Sequence, residues 1–170
     1  MADLIAAVMG IGGKLQYVYT IANKFALVSS TGGTSTSNGS VAANVLTLNN
    51  NEGITLVPGT PVYINTGTSI KRAIGNSKLT ASVIGLVSAS IPYADSGIIK
   101  TGDELTLTTL QWDVITGQTG GLTVDATYFL STTAIGKLTK IAPSSGFMVS
   151  IGRALSSTRM QIVISKKVQL

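Results

Sequence analysis

Apolar residues along this chain recur mainly at every second position, in short runs cut by glycine, proline, asparagine and serine. Leu15, Tyr17, Tyr19 and Ile21 share one face, which is the period of two expected of a strand, and Phe25–Val28 supplies a second apolar run. Leu46 and Leu48 alternate before the turn residues Asn49–Gly53, and Ile54–Val57 runs into the turn dipeptide Pro58-Gly59, a hairpin signal. Further runs cover 62–65, 81–91, 104–114, 127–131, 147–155 and 160–165. Between them stand Gly75-Asn76, Gly120-Gly121, Ile135-Gly136 and Pro143–Gly146. Short strands at this spacing predict an all-β fold of one or two small β-barrel or sandwich lobes.

The run from Glu104 to Val114 changes parity. Leu105 and Leu107 share one face, whereas Leu110, Trp112 and Val114 share the other, so a strand here needs a β-bulge or a tight bend at Thr108-Thr109. On that reading Trp112 belongs to the core or to a subunit interface. An internal repeat supports two lobes. Pro61-Val62-Tyr63-Ile64-Asn65 is followed by Val83-Ile84-Gly85-Leu86-Val87, and Thr127-Tyr128-Phe129-Leu130-Ser131 by Ser150-Ile151-Gly152-Arg153-Ala154, at nearly equal intervals. The alignment sets Tyr63 against Tyr128. The recurring Ile-Gly step predicts a bulge or a close backbone approach.

The first residues, Met1 to Met9, are apolar apart from Asp3 and end at Gly10. No basic residue precedes the run, and it falls short of the roughly 18 apolar residues that cross a bilayer, so the expectation is neither export nor a membrane span. An extended apolar N-terminal arm that inserts into a neighbouring subunit fits better. Residues 29–44 are glycine, serine, threonine and asparagine for the most part, a linker or exposed loop. The expected organisation is therefore 1–28 arm and first strands, 29–44 linker, 45–96 first β lobe and 97–170 second β lobe.

Composition narrows the chemistry. Only 11% of residues are charged and 5% aromatic, while mean hydropathy is +0.41, more apolar area than a small monomer usually hides. Self-association follows, through Leu4, Ile5, Val8, Met9, Tyr17, Tyr19 and Trp112 as interface candidates. The chain has no cysteine and no histidine, so disulfides, thiolate metal sites and the commonest general base are excluded. Gly10-Ile11-Gly12-Gly13-Lys14 fails as a phosphate-binding loop because Leu15 stands where Ser or Thr is required. Asp103 and Glu104 are neighbours whose side chains point apart in an extended chain, and Asp113 and Asp125 sit beside turns. No catalytic, cofactor or metal residue is expected. The net charge of +5 is scattered rather than gathered into a stripe, which argues against nucleic acid and suits strand-edge solubility or docking on an acidic protein shell.

The stretch Gly97–Ile164 is similar to a module of tailed-bacteriophage virion proteins. The residues that carry the likeness are Trp112, Thr116-Gly117, Gly120-Gly121-Leu122, Ala126–Ser131, Gly136–Thr139, Pro143, Gly146 and Ile151–Ser156. The segment from Pro61 through Val87 also resembles small capsid decoration proteins. The resemblance implies a structural role with no reaction and no cofactor: a capsid decoration (cement) protein, a homotrimer whose partner is the major capsid protein or another virion protein. It would be made in the host cytoplasm and reside on the capsid surface. The alternatives are a head- or tail-fibre component that binds a host glycan, or a free carbohydrate-binding module.

Overall fold

The computed structural model of the chain describes residues 4–9, 15–21, 24–28 and 44–170, with the first three segments described as backbone only. Two compact units are present, 1–41 and 42–170. In the first, β1 (Leu4–Met9), β2 (Leu15–Ile21) and β3 (Lys24–Val28) form an antiparallel sheet in the order β1-β2-β3. Ala7 faces Tyr17, and Tyr19 faces Ala26. The segment read as an extended arm contains β1, a strand whose backbone is paired antiparallel to that of β2. Leu4, Ile5, Val8 and Met9 fall on β1, and Tyr17 and Tyr19 on β2; their side chains lie outside the described residues, as does the linker 29–44 apart from Asn44.

The second unit opens with a closed five-stranded barrel. Its strands are β4 (Val45–Asn50), β5 (Pro61–Thr66), β6 (Ser69–Arg72), β7 (Val83–Val87) and β8 (Ser96–Lys100), ordered β4-β6-β5-β7-β8. Closure uses a parallel pairing of Asn49 with Ser69 and an antiparallel one of Leu46 with Ile99. Ile54–Val57 forms no hairpin strand. Leu56 makes a single bridge to Ile91 inside a loop, and the Pro58-Gly59 turn only reverses the chain into β5.

Next come β9 (Asp103–Thr106), α1 (Thr109–Thr116), β10 (Thr127–Leu130), β11 (Leu138–Thr139), β12 (Phe147–Met148), β13 (Ser150–Ala154), β14 (Arg159–Ile162) and β15 (Val168–Gln169). The main sheet runs β11-β10-β13-β14-β9, and β12 pairs with β15. Strand for strand this is the order of the first lobe, with β9 matching β4, β10 matching β5, β11 matching β6, β13 matching β7 and β14 matching β8.

The registers confirm the duplication. Val62 faces Gly85 and Tyr63 faces Val83, which leaves Ile84 as the bulged residue; Tyr128 faces Gly152 and Phe129 faces Ser150, which leaves Ile151. A Cβ on Gly85 would lie 2.3 Å from the Lys100 carbonyl oxygen, and one on Gly152 2.2 Å from that of Gln161. The Ile-Gly step therefore serves both purposes, bulge and close approach. The repeat alignment needs one correction: the residue equivalent to Tyr128 is Val62, not Tyr63, since these two occupy the same ladder position opposite the glycine. Both are fully buried.

Two lobes in topology are one body in packing. Leu48, Leu56, Val62, Ile70, Val87, Ile91 and Ile99 fill the barrel, while Tyr63, Ala73, Ala81 and Leu86 join Trp112, Tyr128, Ile151 and Met160 in a core shared between the lobes. This explains why Pro61-Val62-Tyr63 and Gly85-Leu86-Val87 are continuously buried: one side of each strand lines the barrel and the other meets the second lobe. The expected boundary at 96–97 also moves, because Ser96–Lys100 is the last barrel strand.

Candidate interaction surface

The largest departure from the sequence reading is at Thr108. The chain leaves β9 and turns into α1 instead of continuing as a strand. Thr108 caps the helix: its Oγ1 accepts from the Gln111 amide at 3.2 Å, while Gln111 Oε1 accepts from the Thr108 amide at 2.9 Å. This reciprocal capping box satisfies two otherwise orphaned amides. At the other end Gly117, at φ 67, donates its amide to the Asp113 carbonyl at 2.8 Å, a left-handed cap that glycine adopts without strain. The parity change noted in the sequence is thus helical spacing. Trp112 and Ile115 are buried, and Leu110 and Val114 point outward, 75% and 52% exposed.

Trp112 is accordingly a core residue and is unavailable to a partner. Its Nε1 donates to the Thr158 carbonyl at 2.9 Å, and its ring packs where Gly59 of the first lobe leaves room, so α1 is wedged between the lobes. The Tyr128 hydroxyl is also fully used, accepting from the Thr123 amide at 2.8 Å and donating to Gln118 Oε1 at 2.7 Å. Tyr63 is buried as well, and Tyr93 is 56% exposed on the β7–β8 loop.

Three depressions meet around α1. One of about 340 Å³ is lined by Val57, Pro58, Ser90, Leu110, Gln111 and Val114. A second, about 220 Å³, runs past Ile54, Arg72 and Ile135, and a third, about 370 Å³, past Thr116, Ala134 and Thr139. Val114 belongs to all three. Ile54, Val57, Leu110, Val114 and Ile135 are all large, apolar and exposed. The result is a continuous apolar seam across the lobe junction, the kind of surface that marks a contact site.

Charged groups near the seam are occupied. Glu52 accepts from the Arg72 backbone amide and from Arg72 Nε, both at 2.9 Å. Asp113 takes the amides of Gly120 and Gly121 at 3.1 and 2.6 Å, and Lys137 Nζ donates to the Val114 carbonyl. Elsewhere Arg153 pairs with Asp125, and Arg159 makes a two-pronged contact with Glu104. The hydrogen bonds from the Arg159 guanidinium hold the Glu104 carboxyl below its usual range, aided by the Arg159 charge, and Glu104 raises Arg159 in turn. Among the described residues no group of three or more His, Cys, Asp or Glu is arranged to hold a metal ion, and no helix is long and apolar enough to cross a membrane.

Sequence reasoning missed Leu110 and Val114 as surface residues because it placed them on a strand. The capping pair Thr108 and Gln111, three positions apart, was the signal that could have exposed the helix. Compared with known proteins, the chain matches no family model and no curated protein sequence.

Proposed function

We propose that this protein is a virion structural protein of a tailed bacteriophage, a capsid decoration protein that binds copies of itself and the head lattice and catalyses no reaction. The observation that carries the reading is the apolar seam around Val114, beside which Glu52 and Arg72 pair with each other, Asp113 holds a turn, and Trp112 and Tyr128 are engaged in the core. The second unit therefore has an apolar surface to offer a partner. The likeness of Gly97–Ile164 to virion modules supplies the setting. Bridging capsomers would add interface area that offsets the outward pressure of packaged DNA.

A second reading, a fibre or spike component that binds a host glycan, draws on Tyr93, whose exposed ring on a loop suits stacking against a sugar. Cryo-electron microscopy of the particle, with the protein labelled by a bound antibody fragment, separates the two. Density repeating over the head lattice is the expected result. Label confined to fibres moves the protein to the second reading, and particles without the protein overturn both.

A further inference from the structure

We propose that the outer face of α1, with Val57 and Pro58 beside it, is the surface through which copies of this chain bind one another. The inference rests on the self-association in the proposed function and locates it. Leu110 and Val114 are one helical turn apart, so they form a single apolar ridge. The helix that carries them is capped at both ends and anchored by Trp112, so little flexibility is lost when the ridge is covered.

Charge selects the occupant. Each copy carries +5, so association between copies works against net repulsion and is least opposed through a face whose lining carries no charge. The depression beside the ridge is lined by Val57, Pro58, Ser90, Leu110, Gln111 and Val114, none of them charged. At its margins the cation of Arg72 is paired with Glu52, the carboxylate of Asp113 is held by two amides, and the ammonium of Lys137 lies against the Val114 carbonyl. An acidic or basic partner would find no charged side chain in the lining of this depression to pair with. An identical neutral, apolar face is the complement, and ridge and depression lie side by side, so Leu110 of one copy can enter the depression of the next. A cyclic assembly uses this one face repeatedly.

Sedimentation equilibrium of the full chain tests this, with Leu110→Glu and Val114→Glu as the disrupting variants and Val163→Glu as the control, since Val163 is 63% exposed and lines none of these depressions. Far-UV circular dichroism verifies folding, and Leu110→Gln replaces any glutamate variant that fails to fold. The expected result is a wild-type mass well above 17.4 kDa and association weakened about tenfold or more, some 1.4 kcal/mol, by the α1 variants alone. A wild-type oligomer untouched by the α1 variants overturns this inference and leaves self-association standing. A wild-type chain that stays at 17.4 kDa at every concentration overturns both.

Discussion

Replacing Trp112 by alanine and by phenylalanine separates what the wedge between the lobes owes to volume from what it owes to the indole hydrogen bond. The side chain is fully buried and touches the position of Gly59 in the other lobe, so truncation opens a void that neither lobe can close alone. Trp-to-Ala changes of this kind cost about 3–5 kcal/mol. The hydrogen bond is the smaller part. The Thr158 carbonyl accepts the Leu107 amide at 2.9 Å as well as Trp112 Nε1, so it keeps one partner, and the loss lies near the low end of the usual range, roughly 0.5–1 kcal/mol. Phenylalanine, which retains a ring, should therefore cost about 1–2 kcal/mol and alanine about 4. For a chain of this size, alanine should lower Tm by roughly 8–16 °C. Urea unfolding followed by far-UV circular dichroism measures both variants, since they remove the chain's one tryptophan. Equal losses for the two variants, or an alanine variant within about 1 kcal/mol of wild type, would refute the assignment of Trp112 as the packed wedge.

Four further outcomes are expected. Gly85→Ala and Gly152→Ala should each destabilise by about 1–3 kcal/mol in the same assay, because the new methyl would meet a carbonyl of the facing strand; a neutral change at either would contradict the close approach. Thr108→Ala should cost about 1 kcal/mol by removing the α1 cap. Since Arg159 holds the Glu104 carboxyl low, the pair contributes above the ordinary glutamate range and is lost as pH falls through the depressed folded value; the wild-type urea midpoint should accordingly drop more than that of Glu104→Gln between about pH 6 and about pH 3. Far-UV circular dichroism should report helix well below about one third, and more than that would contradict the sheet topology.

Alternation was a dependable guide wherever a strand has one wet face or lies at a ladder position fixed by a glycine. β5, β7, β10 and β13 fall where the apolar runs place them, and the duplicated Ile-Gly bulges were visible as text. What alternation cannot carry is partner choice. β4 pairs with β8 across the whole lobe rather than with the nearby Ile54–Val57, because a barrel closes through its most distant strands. Nor could it place Leu110 and Val114: over five residues, one buried and two exposed apolar side chains suit a bent strand and a short helix alike, and only the caps decide. The candidate site was least legible for that reason. The tryptophan marked for an interface holds the interior, and the leucine and valine beside it hold the surface.

The duplication shows how one fold came to have an open side. In the first lobe residues 51–55 link β4 to the bridge at Leu56, and Asn50 keeps that short path closed by donating to the carbonyls of Ile54 at 2.7 Å and Ile91 at 2.8 Å. β4 can then reach β6, and the barrel seals. In the second lobe the equivalent path from Thr108 to Leu122 carries the extra residues of α1, and Leu122 still donates to the hairpin loop, at Ser157, as Leu56 does at Ile91. The helix takes the place of the missing β9–β11 ladder, packing beside β11 with Lys137 donating to its backbone. A strand in that position would have buried its inner residues and offered a polar or paired outer edge. A helix of eight residues has to bury Trp112 and Ile115 on one side, and it presents Leu110 and Val114 on the other. The first copy is sealed by its own ladder; the second, sealed by a helix, gains an apolar face that the closed barrel has no means to make.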